Sequence, residues 1–220
     1  MTNINQQVWK ILENSPCIKR NMSGGLLNTR ALAKYIIKEK RIDASIDAVI
    51  SAIRRYKIDK YDDIFTEAHN MVNLTEELST RSDLANIALV KDTEIQKLIP
   101  EFFTVIEYQR GDVLRIIQAD EAIKVLVNEK NLKKLLEIIP ENKIISIDKN
   151  LAEINLHLSP AAKTTPGVIA VITNELAING VSVMEVLTCF PEMLWFVEQQ
   201  NLLKAYNILY QLCKRDKTGK

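Results

Sequence analysis

Three cysteines, two histidines and no long apolar run set the first limits on what this 220-residue chain does. Cys17, Cys189 and Cys213 are widely spaced and odd in number. That excludes a zinc pattern and a disulfide framework, and it fits a reducing compartment. His69 and His157 stand apart from any set of three or four ligands at metal-site spacing. No window is long and apolar enough to span a bilayer. The start, MTNINQQVWK, lacks the apolar core of a signal peptide. The expectation is a cytoplasmic protein with no metal and no membrane partner.

Catalytic machinery is missing as well. Cys189-Phe190-Pro191 falls at a turn between strands with no histidine partner in the sequence nearby, so its thiol reads as packed or incidental rather than nucleophilic. Cys17 follows Pro16 in a basic stretch. Gly24-Gly25 resembles a phosphate cradle only superficially. No Lys-Ser/Thr pair follows it at the required spacing and no clear strand precedes it, so it reads as a flexible turn. Carboxylates are abundant, but none pairs convincingly across a cleft. No catalytic residue and no cofactor is assigned, and an enzyme is not expected.

What is present is an ordinary core-forming fraction of apolar residues, 47%, and an uneven distribution of charge. The formal net charge is +1 overall, yet residues 1–61 hold 12 Lys+Arg against 5 Asp+Glu. A basic head on an acidic body is compatible with a nucleic-acid reader joined to another module.

The head reads as helices. Residues 4–13 place Val8, Ile11 and Leu12 on one side, with Trp9 beside them as an anchor. Asn28 is a good N-cap for TRALAKYIIKEK, whose stripe is Leu32, Tyr35 and Ile36. Ser45 opens IDAVISAIRRY, with Ile46, Val49, Ile50 and Ile53 on its buried side. The polar connection 41–44 between the last two makes a helix-turn-helix pattern, similar to winged-helix DNA-binding domains in general. Lys19, Arg20 and Arg30 around the glycine turn, and Arg54, Arg55 and Lys57 at the end of the third helix, are the candidate contacts to double-stranded DNA. A solvated basic surface is the alternative. Asp43 and Asp47 near the start of the third helix suit its dipole and are poor neighbours for phosphate. Residues 58–72 continue as a helix, and 74–83 supply a strand or a wing.

From residue 84 the texture changes to α+β. Strands are expected at 84–91, 112–118, 122–128 and 143–148. Helices are expected from Thr93, where Pro100 should bend or break the run, and from about residue 130. The order nearly repeats: a strand at 151–158, a helix at 166–179, strands at 181–188 and 193–198, then a final helix. No last strand follows, because DKTGK is a polar tail. Either that strand is absent or a neighbouring segment completes the sheet. Two successive ferredoxin-like βαββαβ units explain the repeat, with edges paired side by side or by dimerisation. The resulting spans are 1–80, 84–148, 151–213 and a tail at 214–220.

The stretch KTTPGVIAVITNELAINGVSVMEVL, 163–187, carries a resemblance. Thr165, Pro166, Gly167, Val168, Ala170, Ile172 and Leu176, followed by Asn179, Gly180 and Val181, resemble the ACT domain family. The tandem regulatory modules of aspartate kinases are the nearest likeness. It covers 151–213 reasonably and 84–148 more weakly, since Asp92-Thr93 replaces the Pro-Gly opening there. The resemblance implies an amino acid held between paired modules by Thr165, Pro166, Gly167 and Val168, together with Asn179, Val181 and Ser182. Backbone N–H groups at 167 and 168 would receive a carboxylate. Asn179 or Ser182 would orient an ammonium or polar group. The same residues also make a sound helix start and exit with no ligand. The function expected is a ligand-responsive, homodimeric transcriptional regulator that senses a small metabolite, in which ligand alters the spacing of two DNA-reading heads. The alternative is a regulatory or scaffold protein that does not bind DNA.

Overall fold

The computed structural model describes residues 3–57 and 61–214, with backbone alone for 61–64. The chain divides after Ala68 into two compact units.

The first unit is built from helices α1 (Ile4–Glu13), α2 (Pro16–Ser23), α3 (Thr29–Lys40) and α4 (Ile46–Arg55), followed by α5 (Tyr61–Asn73), which crosses the division. The caps explain the boundaries. The Asn28 side chain accepts from the N–H groups of Arg30 and Ala31, and Ser45 accepts from that of Ala48. Helix α3 ends where Arg41 turns left-handed, at φ 52°. Val8, Leu12, Leu32, Ala33, Ile36, Val49, Ala52 and Ile53 form the core. Trp9 is the anchor expected of it: its indole N–H donates to the Ala52 carbonyl at 2.9 Å, fastening α1 to α4. Tyr35 is not in the stripe, being 48% exposed, and Ala33 packs in its stead. Helix α2 was not foreseen. Pro16 sits in its first turn, where a missing N–H costs nothing. Among the described residues this unit contains no strand. Of the segment expected as a strand or wing, 74–83, the residues from Glu77 form the start of a long strand that belongs to the second unit, and the described residues of the first unit form no wing.

The second unit is one antiparallel sheet in the order β2-β3-β1-β4-β6-β5. Its strands are β1 (Glu77–Val90), β2 (Leu114–Gln118), β3 (Ala122–Asn128), β4 (Ile144–His157), β5 (Glu185–Cys189) and β6 (Glu192–Glu198). Helices α6 (Thr93–Phe102), α7 (Glu129–Ile138), α8 (Val168–Ile178) and α9 (Leu202–Leu212) connect them. Strands β1 and β4 are shared. Leu84–Val90 pairs with β3, and Leu84–Leu89 with Ile144–Leu151 of β4, while Glu77–Arg81 pairs with Glu153–His157. The first module is therefore β1(84–90)-α6-β2-β3-α7-β4(144–150). The second is β4(151–157)-α8-β5-β6-α9, and the start of β1 supplies its missing last strand. The two strands expected at 143–148 and 151–158 are one. Asn150 absorbs the change of direction with φ 54°, as Asp83 does in β1 with φ 56°. Each irregular N–H finds a partner just after the third strand of a module: Asn150 donates to Glu129, and Asp83 to Gln199.

Pro100 lies inside α6, which runs only two residues beyond it before tightening into a 3-10 turn at Phe103–Val105. Strand β5 begins at Glu185 rather than 181, because the Val181 N–H still bonds back to Leu176.

Alternate residues face opposite ways. Ala85, Ile87, Leu89, Ile123, Val125 and Val127 pack under Ile95, Phe102, Leu132 and Leu135 of the helices. Leu84, Leu126, Leu151, Leu194 and Phe196 point to the helix-free face and form a second cluster. That face is curled inward. Lys124 on the second strand of the sheet pairs with Glu185 on the sixth. In a flat sheet four strand spacings of about 4.8 Å would separate them by roughly 19 Å. Arg115 on the first strand reaches Glu153 on the fourth through two hydrogen bonds, Nε at 2.7 Å and Nη2 at 2.8 Å. Burial opposes the charge on Arg115, but the Glu153 carboxylate outweighs it and raises the guanidinium pKa.

Candidate functional site

The chain between β4 and α8 explains why one helix start stays open. Pro160–Lys163 makes a 3-10 turn, and the Thr165 hydroxyl donates back to the Ala161 carbonyl at 3.0 Å. Gly167 then adopts φ 91°, a left-handed conformation that only glycine takes freely. It occupies the N-cap position, so α8 begins with no capping side chain. The first bond of the helix runs from the Val171 N–H to the Gly167 carbonyl at 2.9 Å. The N–H groups of 168–170 consequently have no acceptor within the helix, and they carry the positive end of its dipole.

A cavity of about 540 Å³ lies at this point. Val168, Ile169, Ala170 and Thr173 of α8 form one side, and Phe190 and Met193 form another. Lys163, Thr165 and Gly167 complete the lining with Ala162. No carboxylate borders it. The two lining hydroxyls donate to backbone carbonyls, Thr165 to Ala161 and Thr173 to Ile169, so the site offers backbone N–H donors, one ammonium and apolar walls, which suits a carboxylate with an apolar body.

The corresponding point in the first module is closed. Asp92 caps α6 by accepting from the Ile95 N–H at 2.9 Å. Lys143 bridges Asp92 at 2.5 Å and Glu94 at 3.0 Å. The Lys143 ammonium and the Ile95 N–H lower the Asp92 pKa, and Asp92 with Glu94 raises that of Lys143. The protein's own carboxylate fills the anion position there.

Of the residues expected to hold an effector, Thr165, Gly167 and Val168 line the cavity. Pro166 lies between them, exposed, and does not border it. Asn179, Val181 and Ser182 lie beyond the other end of α8. Eleven helical residues separate the two groups by roughly 16 Å. The Asn179 amide donates to the Glu175 carbonyl at 2.8 Å, Val181 is buried and Ser182 is exposed. Within one chain the seven residues do not share a site. Lys163, Thr173, Phe190 and Met193 also line the cavity and were not assigned to the site from the sequence. Lys163 directly precedes the TTPG run and was the one legible signal. Phe190 arrives from the β5–β6 connection and Met193 from the start of β6.

Five of the six basic residues expected to contact DNA spread over three helices, and the sixth follows the last of them. Lys19 and Arg20 are on α2, with the Arg20 guanidinium 4.6 Å from the centre of the Phe65 ring. Arg30 is in the first turn of α3, Arg54 and Arg55 are in the last turn of α4, and Lys57 follows. Arg30, Arg54, Arg55 and Lys57 are exposed and form no ion pair with described residues.

Among the described residues, no three His, Cys, Asp or Glu side chains gather as metal ligands, and no helix is long and apolar enough to cross a membrane. Cys17 and Cys189 are exposed, and Cys213 is buried with its thiol 3.4 Å from the Thr75 hydroxyl.

Neither a family model nor a curated protein matches the sequence. Solved structures do match the fold. The regulatory subunit of aspartate kinase from Thermus flavus aligns with TM-score 0.51 and 16% identity, over 63% of this chain and 98% of that one. The aspartokinase alpha and beta subunits align with TM-score 0.50 and 17% identity, over 63% and 97%. Aspartate kinase from Clostridium acetobutylicum aligns at 0.50 and 14%, over 63% of this chain but only 34% of that enzyme. The ACT-like, ferredoxin-like architecture is common to them.

Proposed function

We propose that the chain is a cytoplasmic, non-enzymatic regulator that senses a small carboxylate effector, most simply an amino acid, in its second ACT-like module and binds double-stranded DNA through its first unit. The observation that carries the sensing role is the contrast between two equivalent helix starts. Helix α6 is capped and neutralised internally, whereas α8 opens uncapped onto a cavity of about 540 Å³. The fold shared with regulatory subunits of aspartate kinase supports the same reading. The helix-turn-helix of α3 and α4 and the basic residues of the first unit support the DNA role.

Two copies explain how residues at opposite ends of α8 act together. The helix is apolar nearly all round, yet Ile169, Ala170, Thr173, Ala177 and Ile178 are exposed. Antiparallel packing of α8 against its counterpart buries this stripe. It also sets Thr165–Val168 of one copy against Asn179–Ser182 of the other. The same exposed stripe favours a second reading, an assembly module that binds no effector.

Thermal unfolding against each common amino acid at fixed protein concentration separates the two. A saturable rise in Tm for one compound is expected, worth about 4 kcal/mol at a thousandfold excess over Kd. A homodimer in sedimentation with no thermal response to any compound assigns the module to assembly. Asn179→Ala tests that residue's part separately, and an unchanged affinity for the active compound removes it from the site.

A further inference from the structure

We propose that the first unit grips the phosphate backbone of duplex nucleic acid along α3, through a stripe formed by Arg30, Lys34, Lys38 and Arg41. This rests on the DNA-binding reading above and names the surface responsible. Lys34, Lys38 and Arg41 were not among the contacts expected from the sequence.

Arg30, Lys34 and Lys38 fall at intervals of four, which places them on one side of the helix, and Arg41 follows at its left-handed C-cap. At 1.5 Å per residue the three on the helix make a row roughly 12 Å long with a cation about every 6 Å. All four are exposed, and none forms an ion pair with a described residue. The row cannot roll away, because Leu32, Ala33 and Ile36 hold the opposite side of α3 in the core. Five basic residues stand against the single acid Glu39 over 29–41.

Helix α4 is the poorer candidate for this role. Asp47 occupies its first turn and Asp43 lies just before it. Its cations Arg54 and Arg55 sit in the last turn, where they also serve the negative end of the helix dipole. In a helix-turn-helix the first helix crosses the backbone while the second offers its start to the groove. Helix α3 is the first of the pair, so its charge lies where backbone contact is made. A lipid surface fits less well, because Leu32, Ala33 and Ile36, the apolar stripe of α3, are already buried in the core.

The test is the salt dependence of binding between the full chain and a fluorescent mixed-sequence duplex of about 30 base pairs. Four phosphate contacts give a slope of log K against log salt near −3.6, or about a 150-fold loss of affinity between 50 and 200 mM. Lys34→Ala/Lys38→Ala removes two contacts, so that loss shrinks to about 12-fold. Lys133→Ala/Lys134→Ala, exposed on α7 in the second unit, leaves it unchanged, and circular dichroism confirms that each variant folds. A larger change of slope in Arg54→Ala/Arg55→Ala than in the α3 variant overturns the α3 surface while leaving DNA binding intact. No binding by the unaltered chain at 50 mM salt overturns the DNA reading itself, and the α3 surface falls with it. Binding to phosphatidylserine vesicles without binding to the duplex would assign the stripe to a lipid surface and contradict the proposal.

Discussion

The Arg115–Glu153 pair offers the sharpest check on the curled sheet. Glu153 is 1% exposed and sits on β4, while Arg115 reaches it from β2, three strands away. Two hydrogen bonds of 2.7 and 2.8 Å join them, and Arg81 approaches the same carboxylate at 3.8 Å. Removing one partner of such a pair leaves an uncompensated buried charge, at a cost of about 3–5 kcal/mol. Arg115 retains some solvent contact and Arg81 remains near Glu153, so Arg115→Met is placed at the lower end, about 3 kcal/mol. For a unit of roughly 150 residues that corresponds to a fall in Tm of about 6–12 °C. Glu153→Met strands the guanidinium and costs about as much. The double variant replaces the pair with two apolar side chains in a largely buried position, and it costs about 1 kcal/mol or less. Calorimetry of the three variants, following the transition of the second unit, closes the cycle. Single effects that simply add in the double variant would show that the two side chains do not meet, and the inward curl would be wrong.

Three further outcomes follow from local geometry. The Asp112 pKa is lowered to about 2 by Lys130 and Asn131, whose nitrogens lie 2.5 and 2.7 Å from its carboxylate. A depressed carboxylate stabilises the fold above its ordinary value near 4 and loses that contribution as pH falls toward 2. Asp112→Asn should therefore flatten the acid limb of a plot of Tm against pH, and an unchanged limb refutes the assignment. Gly167→Ala forces a side chain into φ 91° and should cost about 1–2 kcal/mol in urea unfolding; a neutral effect would mean that the turn into α8 is not left-handed. Trp9→Phe leaves the Ala52 carbonyl without its donor and should destabilise the first unit by about 1–3 kcal/mol, read from its own transition. A loss below 0.5 kcal/mol would remove the indole from the account of how α1 is fastened, given the roughly 1 kcal/mol typical of a single hydrogen bond.

Local chemistry was the legible part of this fold. Asn28 and Ser45 start their helices as their side chains require, and the strands expected at 122–128 and 193–198 form as β3 and β6. What stayed hidden depends on distant partners. Nothing near Glu77 announces that it will pair across to His157 and complete a module that begins 74 residues later at Leu151. Asn150 resembles a strand terminator until Glu129 takes its N–H and lets β4 run on. The candidate site was half legible for the same reason. The TTPG run marks the helix start, but Phe190 and Met193 reach the cavity only through the sheet. The distance between Gly167 and Ser182 is likewise set by the full length of α8.

The central claim is that the cavity at the open start of α8 holds a carboxylate effector. The most direct measurement is calorimetric titration of each common amino acid into the unaltered chain and into Ala170→Phe, which fills the cavity from an exposed helix position. The account predicts saturable binding of one compound to the unaltered chain and its loss in the folded variant. Equal affinity in both would place the site elsewhere and contradict it.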